Sequence, residues 1–150
     1  MKQGFSKYFT FEELTHTNHK SLQQENRDKA MQFINAGKRL SKLLGSIREA
    51  YGSPITISSG YRCPSVNIAV GSKAKSSSHL RFEAGDCIPV GKDLKQFFNW
   101  LNANQDQFPD LRKAIIEYHK GIVHIEVKMS ANEPQTFYAT HDNVSFEVVA

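Results

Sequence analysis

No apolar run in the sequence approaches the ~18–20 residues a helix needs to cross a bilayer. The opening Met1-Lys2-Gln3-Gly4-Phe5 lacks the apolar core and small-residue cleavage site of a signal peptide, so a soluble product made in the cytoplasm, with no membrane partner, is expected. Cysteine is scarce: Cys63 and Cys87 form no C-x-x-C pair and are too few for a disulfide framework, which predicts two part-buried thiols in a reducing compartment. A dense Lys/Arg run is missing, as is any recognised base-reading motif, which argues against a nucleic-acid partner. There is no internal repeat, low-complexity stretch or linker. At 39% apolar, 11% aromatic and 23% charged, the 150 residues make an ordinary globular mixture, long enough for one domain, 1–150. A chain of that length hides roughly 68–70% of its unfolded surface and needs no staples.

The net charge of +4 is unevenly spread. Residues 1–50 carry nine Lys/Arg against five Asp/Glu, residues 51–100 six against three, and residues 101–150 four against seven. A mildly basic first two thirds suits an anionic partner, a cell-wall polymer or a substrate carboxylate among them.

Thr10-Phe11-Glu12-Glu13 has the form of a capping box and predicts a short helix to about Thr15. A long helix is expected from about Glu25 to Ala50, its apolar residues recurring every three or four positions, with Gly52 and Pro54 ending it. Ile55-Thr56-Ile57 reads as a strand, Pro64 as the first residue of a short helix to about Val70, and 71–78 as a polar loop carrying Lys73 and Lys75. A strand over 84–89 and a helix capped by Asp93 follow, the latter burying Leu94, Phe97, Phe98 and Leu101, with Trp100 as packing beside them. The last third alternates as strands do: 113–118, 122–128, and a hairpin of 136–140 and 144–149. The expected fold class is α+β, a single domain with N-terminal helices packed on a central antiparallel sheet.

Within 122–128, Val123, Ile125 and Val127 alternate with His124, Glu126 and Lys128, so the apolar set should face the core and His124 and Glu126 the other side. Read alone, that second side is a solvated sheet face. A two-residue turn at Lys120-Gly121, with Gly at positive φ, would set Glu117 directly opposite His124. A carboxylate beside a metal-ligating histidine is well placed as a general base. His79 and Asp86, seven residues apart around the start of a strand, can converge on one ion, although that spacing alone is weak evidence. Cys87 should point away from Asp86, His119 and His141 border the cleft, and His16 and His19 are exposed.

Ser77-Ser78-His79-Leu80-Arg81-Phe82-Glu83-Ala84-Gly85-Asp86 resembles the S-x-H-x-x-G-x-A-x-D motif of the D-Ala-D-Ala carboxypeptidase-like zinc peptidases. That group includes phage L-alanyl-D-glutamate endopeptidases and the hedgehog signalling domain. Ile57-Ser58-Ser59-Gly60-Tyr61-Arg62-Cys63-Pro64 resembles its S-G-Y-R segment; 115–117 and 123–127 resemble its paired strands, and Tyr8–Leu14 the opening of its short single-domain members. The resemblance spans roughly residues 5–128 and leaves the final hairpin outside. It implies a zinc cofactor held by His79, Asp86 and His124, with Glu117 as the base that takes a proton from the attacking water. It further implies Arg62 on a substrate carbonyl or oxyanion, and Ser77 supporting ligand or substrate. Many hydrolases of the group carry the base three residues before the last ligand; that position here is Gly121, and Glu126 is a second candidate base.

The activity implied is zinc-dependent hydrolysis of a peptide bond in peptidoglycan stem peptides, of the D-Ala-D-Ala or L-Ala-D-Glu type, by a monomer reaching the cell wall after release. Phe82 stands where the motif has Gly, a position that would need positive φ or room beside the substrate. It would strain the turn or fill part of the cleft, which makes a catalytically impaired metal-binding module of the same fold the alternative.

Overall fold

The computed structural model describes residues 2–72 and 77–150; Lys73 and Lys75 lie outside the described residues. Thr10 accepts a hydrogen bond from the Glu13 amide and opens α1 (Phe11–Leu14), as its capping sequence predicts. The long helix is broken in two, α2 (Gln23–Ala30) and α3 (Ile34–Tyr51), by a 3-10 turn at Met31–Phe33. Residues 23–29 carry no large apolar side chain, so α2 has no apolar stripe that must follow the axis of α3. The break frees α2 to bury Asn26, whose amide holds the Thr15 and Tyr61 carbonyls and whose oxygen takes the Cys63 amide. Gly52, at φ 76°, closes α3.

Strands β1 (Ile55–Ser59), β2 (Ala84–Pro89), β3 (Leu111–Glu117), β4 (Ile122–Val127), β5 (Thr136–Thr140) and β6 (Glu147–Val148) make one sheet ordered β1-β2-β4-β3-β5-β6. Every pairing is antiparallel except β3 with β5, so the sheet is mostly antiparallel rather than wholly so. Helix α4 (Pro64–Ala69) starts on Pro64, and α5 (Leu94–Ala103) is capped by Asp93 and buries Phe97, Phe98 and Leu101. One face of the sheet meets α1, α3 and α5 through Leu40, Leu44, Ile47, Phe97, Leu101, Ile116, Val123, Ile125 and Val127, all nearly solvent-free. Cys87 belongs to this core, and both cysteines are free thiols. Trp100 packs between Tyr51 and Phe108 at its margin.

Two irregularities bear on the other face. The β3–β4 connection is four residues long, Tyr118–Gly121, with the Lys120 and Gly121 amides donating to the Glu117 carbonyl and Gly121 at φ 67°. Glu117 therefore pairs with Ile122, and His124 pairs with Ile115: the two-residue turn expected from the sequence is corrected by a slip of two positions. A slip of two preserves which side each residue faces, since strand side chains alternate with period two. At its far end β3 bulges, Leu111 pairing with Val127 and Lys113 with Glu126, so Arg112 is the extra residue.

Candidate metal centre

The turn Ser78–Arg81 carries His79 beneath the sheet face opposite the core. Ser77 caps it through a hydrogen bond from the His79 amide, so its hydroxyl holds the turn that presents His79. The turn ends on Phe82 at φ 61°, which confirms that the position demands the left-handed region a motif glycine would supply. Phe82 does not fill the cleft. Its ring is wholly buried in the core among Phe5, Phe11 and Tyr61, and lies over Gly37, where a Cβ would come within 2.6 Å of it. The strain of the turn is thus offset by burial of a large ring in a space that only glycine on α3 leaves open.

Asp86 and His124 are direct cross-strand partners on β2 and β4, and His79 completes the group. All three are at least nine-tenths buried, and one ligand atom from each lies within 4.8 Å of the others. Asp86 Oδ1 is 3.2 Å from His79 Nε2 and 3.0 Å from His124 Nδ1. Two ligands each ~2.0–2.1 Å from a tetrahedral ion would be ~3.3 Å apart.

The remaining ring nitrogens are committed. His79 Nδ1 donates to the Gly60 carbonyl at 2.7 Å, and His124 Nε2 donates to Glu126 Oε2 at 2.8 Å. A carbonyl and a carboxylate can only accept, so the tautomers leave His79 Nε2 and His124 Nδ1 as lone pairs aimed at the same carboxylate oxygen. Three converging donors without a hydrogen among them call for a cation. In the bare protein a proton serves: burial disfavours charge on His124, yet its hydrogen bonds with Asp86 and Glu126 outweigh that and lift it to about 10. Burial would likewise raise Asp86 and Glu126, but His79 and His124 together hold Asp86 far below the usual carboxylate range, and His124 holds Glu126 at about 2. Two imidazoles, one carboxylate and oriented outer partners are also the donor set and surroundings of an open catalytic zinc site.

The centre floors a cavity of about 730 Å³, and Arg62, Ser77, Lys113, Glu117 and Lys120 line it with the three ligand candidates. Glu117, 6% exposed, faces the cavity from β3, with Lys120 Nζ 3.8 Å and His119 Nε2 4.0 Å from its Oε1. Arg62 is half-buried and its Nε has no hydrogen-bond partner among the described residues. Burial lowers its pKa, while the charges of Asp86 and Glu117 act in the opposite sense. Glu126 is not a surface carboxylate: it is 7% exposed and its oxygens are taken by His124 and Arg112. The face carrying His124 and Glu126 is therefore not the solvated one that alternation alone suggests. His119 borders the cavity, whereas His141 stacks on Tyr118 beside a separate one, and His16 and His19 are exposed. Sequence reasoning passed over Arg112, whose partners, Glu83, Glu126 and Glu133, come from three distant segments.

A mixed sheet backed by helices thus carries, under an open cleft, a buried His-Asp-His group that could hold a metal ion. The family model for peptidase M15 matches residues 7–126, and the chain belongs to that family of metallopeptidases. No curated protein matches the chain. Among the described residues no helix is long and apolar enough to cross a membrane.

Proposed function

We propose that the protein is a zinc-dependent peptidase that hydrolyses a peptide bond in peptidoglycan stem peptides. The observation that carries this is the convergence of the His79, Asp86 and His124 lone pairs beneath a cleft walled by Glu117 and Arg62. When bound, zinc supplies a Lewis acid that polarises a carbonyl and makes water acidic enough to attack near neutral pH. His79 and His124 keep their donor atoms aimed through Gly60 and Glu126, while Asp86 contributes the negative charge. Glu117 accepts the proton of the attacking water and passes it to the leaving amine. The free Nε–H of Arg62 donates to the oxyanion as the carbonyl becomes tetrahedral. Lys113 and Lys120 on the walls favour a peptide bearing carboxylates, as stem peptides do. Glu126 is a poor base, since His124 and Arg112 occupy its oxygens.

Metal analysis coupled to muropeptide digestion tests this reading. The wild type should carry one zinc and cleave, and Glu117→Ala should keep the metal and lose at least ~10²-fold in turnover. Loss of zinc in a folded Glu117→Ala protein would show the role to be misassigned. Stoichiometric zinc without cleavage of D-Ala-D-Ala or L-Ala-D-Glu bonds would support the metal-binding module instead. Phe82 no longer favours that module, because its ring lies in the core and not in the cleft.

A further inference from the structure

We propose that Arg112 is a positioning residue of the metal centre, acting on His124 through Glu126; this rests on the reading that the centre holds zinc. The β3 bulge makes Arg112 an extra residue beside Lys113, and its guanidinium reaches the side of the sheet that carries His124. Bulges re-aim side chains in this way. Glu126 Oε1 accepts from Arg112 Nε at 3.1 Å and lies 3.0 Å from Arg112 Nη2, while Oε2 takes the His124 Nε2 hydrogen at 2.8 Å. One carboxylate thus spans the guanidinium and the imidazole. Its two oxygens are held at both ends, and Ser78, next to His79, adds a further hydrogen bond.

The guanidinium is anchored in turn. Its Nη2 is 3.0 Å from Glu83 Oε1, just before β2, and its Nη1 is 3.2 Å from Glu133 Oε2. Glu133 accepts from the Met129 and Ser130 amides beyond β4. With its side chain only 16% exposed, Arg112 joins the segments flanking Asp86 and His124 into one unit. A planar fork is needed: an ammonium could not meet three carboxylates at fixed angles. The ring plane of His124, and with it the aim of Nδ1, is consequently set from a residue that touches no metal ligand. Lys113, the neighbouring cation, lines the cleft and makes no ion pair within 4 Å among the described residues.

The test is zinc affinity, measured by competition with a chromophoric chelator, together with the visible absorption spectrum of the cobalt-substituted protein. Arg112→Met and Glu126→Gln should each weaken zinc binding ~10–100-fold and shift the cobalt bands. The double variant should be no weaker than the worse single one, because both act through one link. Arg112→Lys should fall between wild type and Arg112→Met, and it carries the comparison if Arg112→Met does not fold. Glu133→Gln removes an anchor without touching Glu126 and should lower thermal stability more than affinity. Equal zinc affinity and unchanged cobalt bands in wild type and a folded Arg112 variant would overturn this proposal alone. Additive losses in the double variant would also overturn it, since Arg112 would then act by another route. A wild type that binds no zinc would overturn the zinc reading and this inference with it.

Discussion

Phe82 and Gly37 show how a departure at one residue is absorbed by another. A non-glycine residue at positive φ costs ~1–2 kcal/mol, whereas losing a buried phenyl ring costs ~3–5 kcal/mol. Phe82→Gly should therefore relieve the turn yet lower stability by roughly 1–4 kcal/mol, the difference of those two ranges, as read by chemical denaturation. Turnover per folded molecule should stay unchanged, because the ring lies outside the cleft. Gly37→Ala should destabilise by ~1–3 kcal/mol, because its Cβ would sit 2.6 Å from the Phe82 ring. If Gly37→Ala melted like the wild type, the close packing of helix on ring would be wrong. His79→Ala or Asp86→Ala should abolish stoichiometric zinc, measured by elemental analysis, as each removes one of three donors.

Among the elements, the β3–β4 connection does most to place the proposed base. Its four residues, ending on Gly121 at positive φ, put Glu117 one diagonal step from His124 and not directly across. Gly121→Ala meets no neighbouring atom, so its cost is backbone strain alone, ~1–2 kcal/mol in thermal unfolding. Gly121→Asn should cost less, because asparagine tolerates the left-handed region. Equal losses for the two would mean that the positive φ is not what the turn requires. Strand β5, beyond the family match, pairs in parallel with β3 and brings Thr140 beside Glu117, buttressing the strand from its outer side.

Across the whole molecule, the centre adds a second tie between segments that already meet in the core. His79 comes from the turn before β2, Asp86 from β2 and His124 from β4, so a bound ion cross-links them. Zinc binding the folded state alone should stabilise it by ~2.7 kcal/mol at a hundredfold excess over Kd. Calorimetric melting should accordingly rise with added zinc and fall on chelation, and His124→Ala should erase the dependence. A melting temperature indifferent to zinc would argue against a folded-state site.

Caps, the span of β2 and facing along β4 were legible in the chain because each is local. Thr10 and Asp93 cap within three residues, β2 runs over the expected 84–89, and alternation along β4 separates Val123, Ile125 and Val127 from His124 and Glu126. The family resemblance that marks His79, Asp86 and His124 is also readable along the chain; β2 pairing with β4 sets Asp86 beside His124, and the turn before β2 brings His79 to them. Turn length, the break between α2 and α3 and the parallel β3–β5 pairing were not legible, because each depends on what packs against the segment from elsewhere. The direction of the Phe82 ring depends on Gly37, forty-five positions earlier. The role of Arg112 depends on a bulge and on carboxylates from three other segments. Chemical identity and period are properties of neighbours in sequence; register, burial and the second partner of a carboxylate exist only once distant strands are side by side.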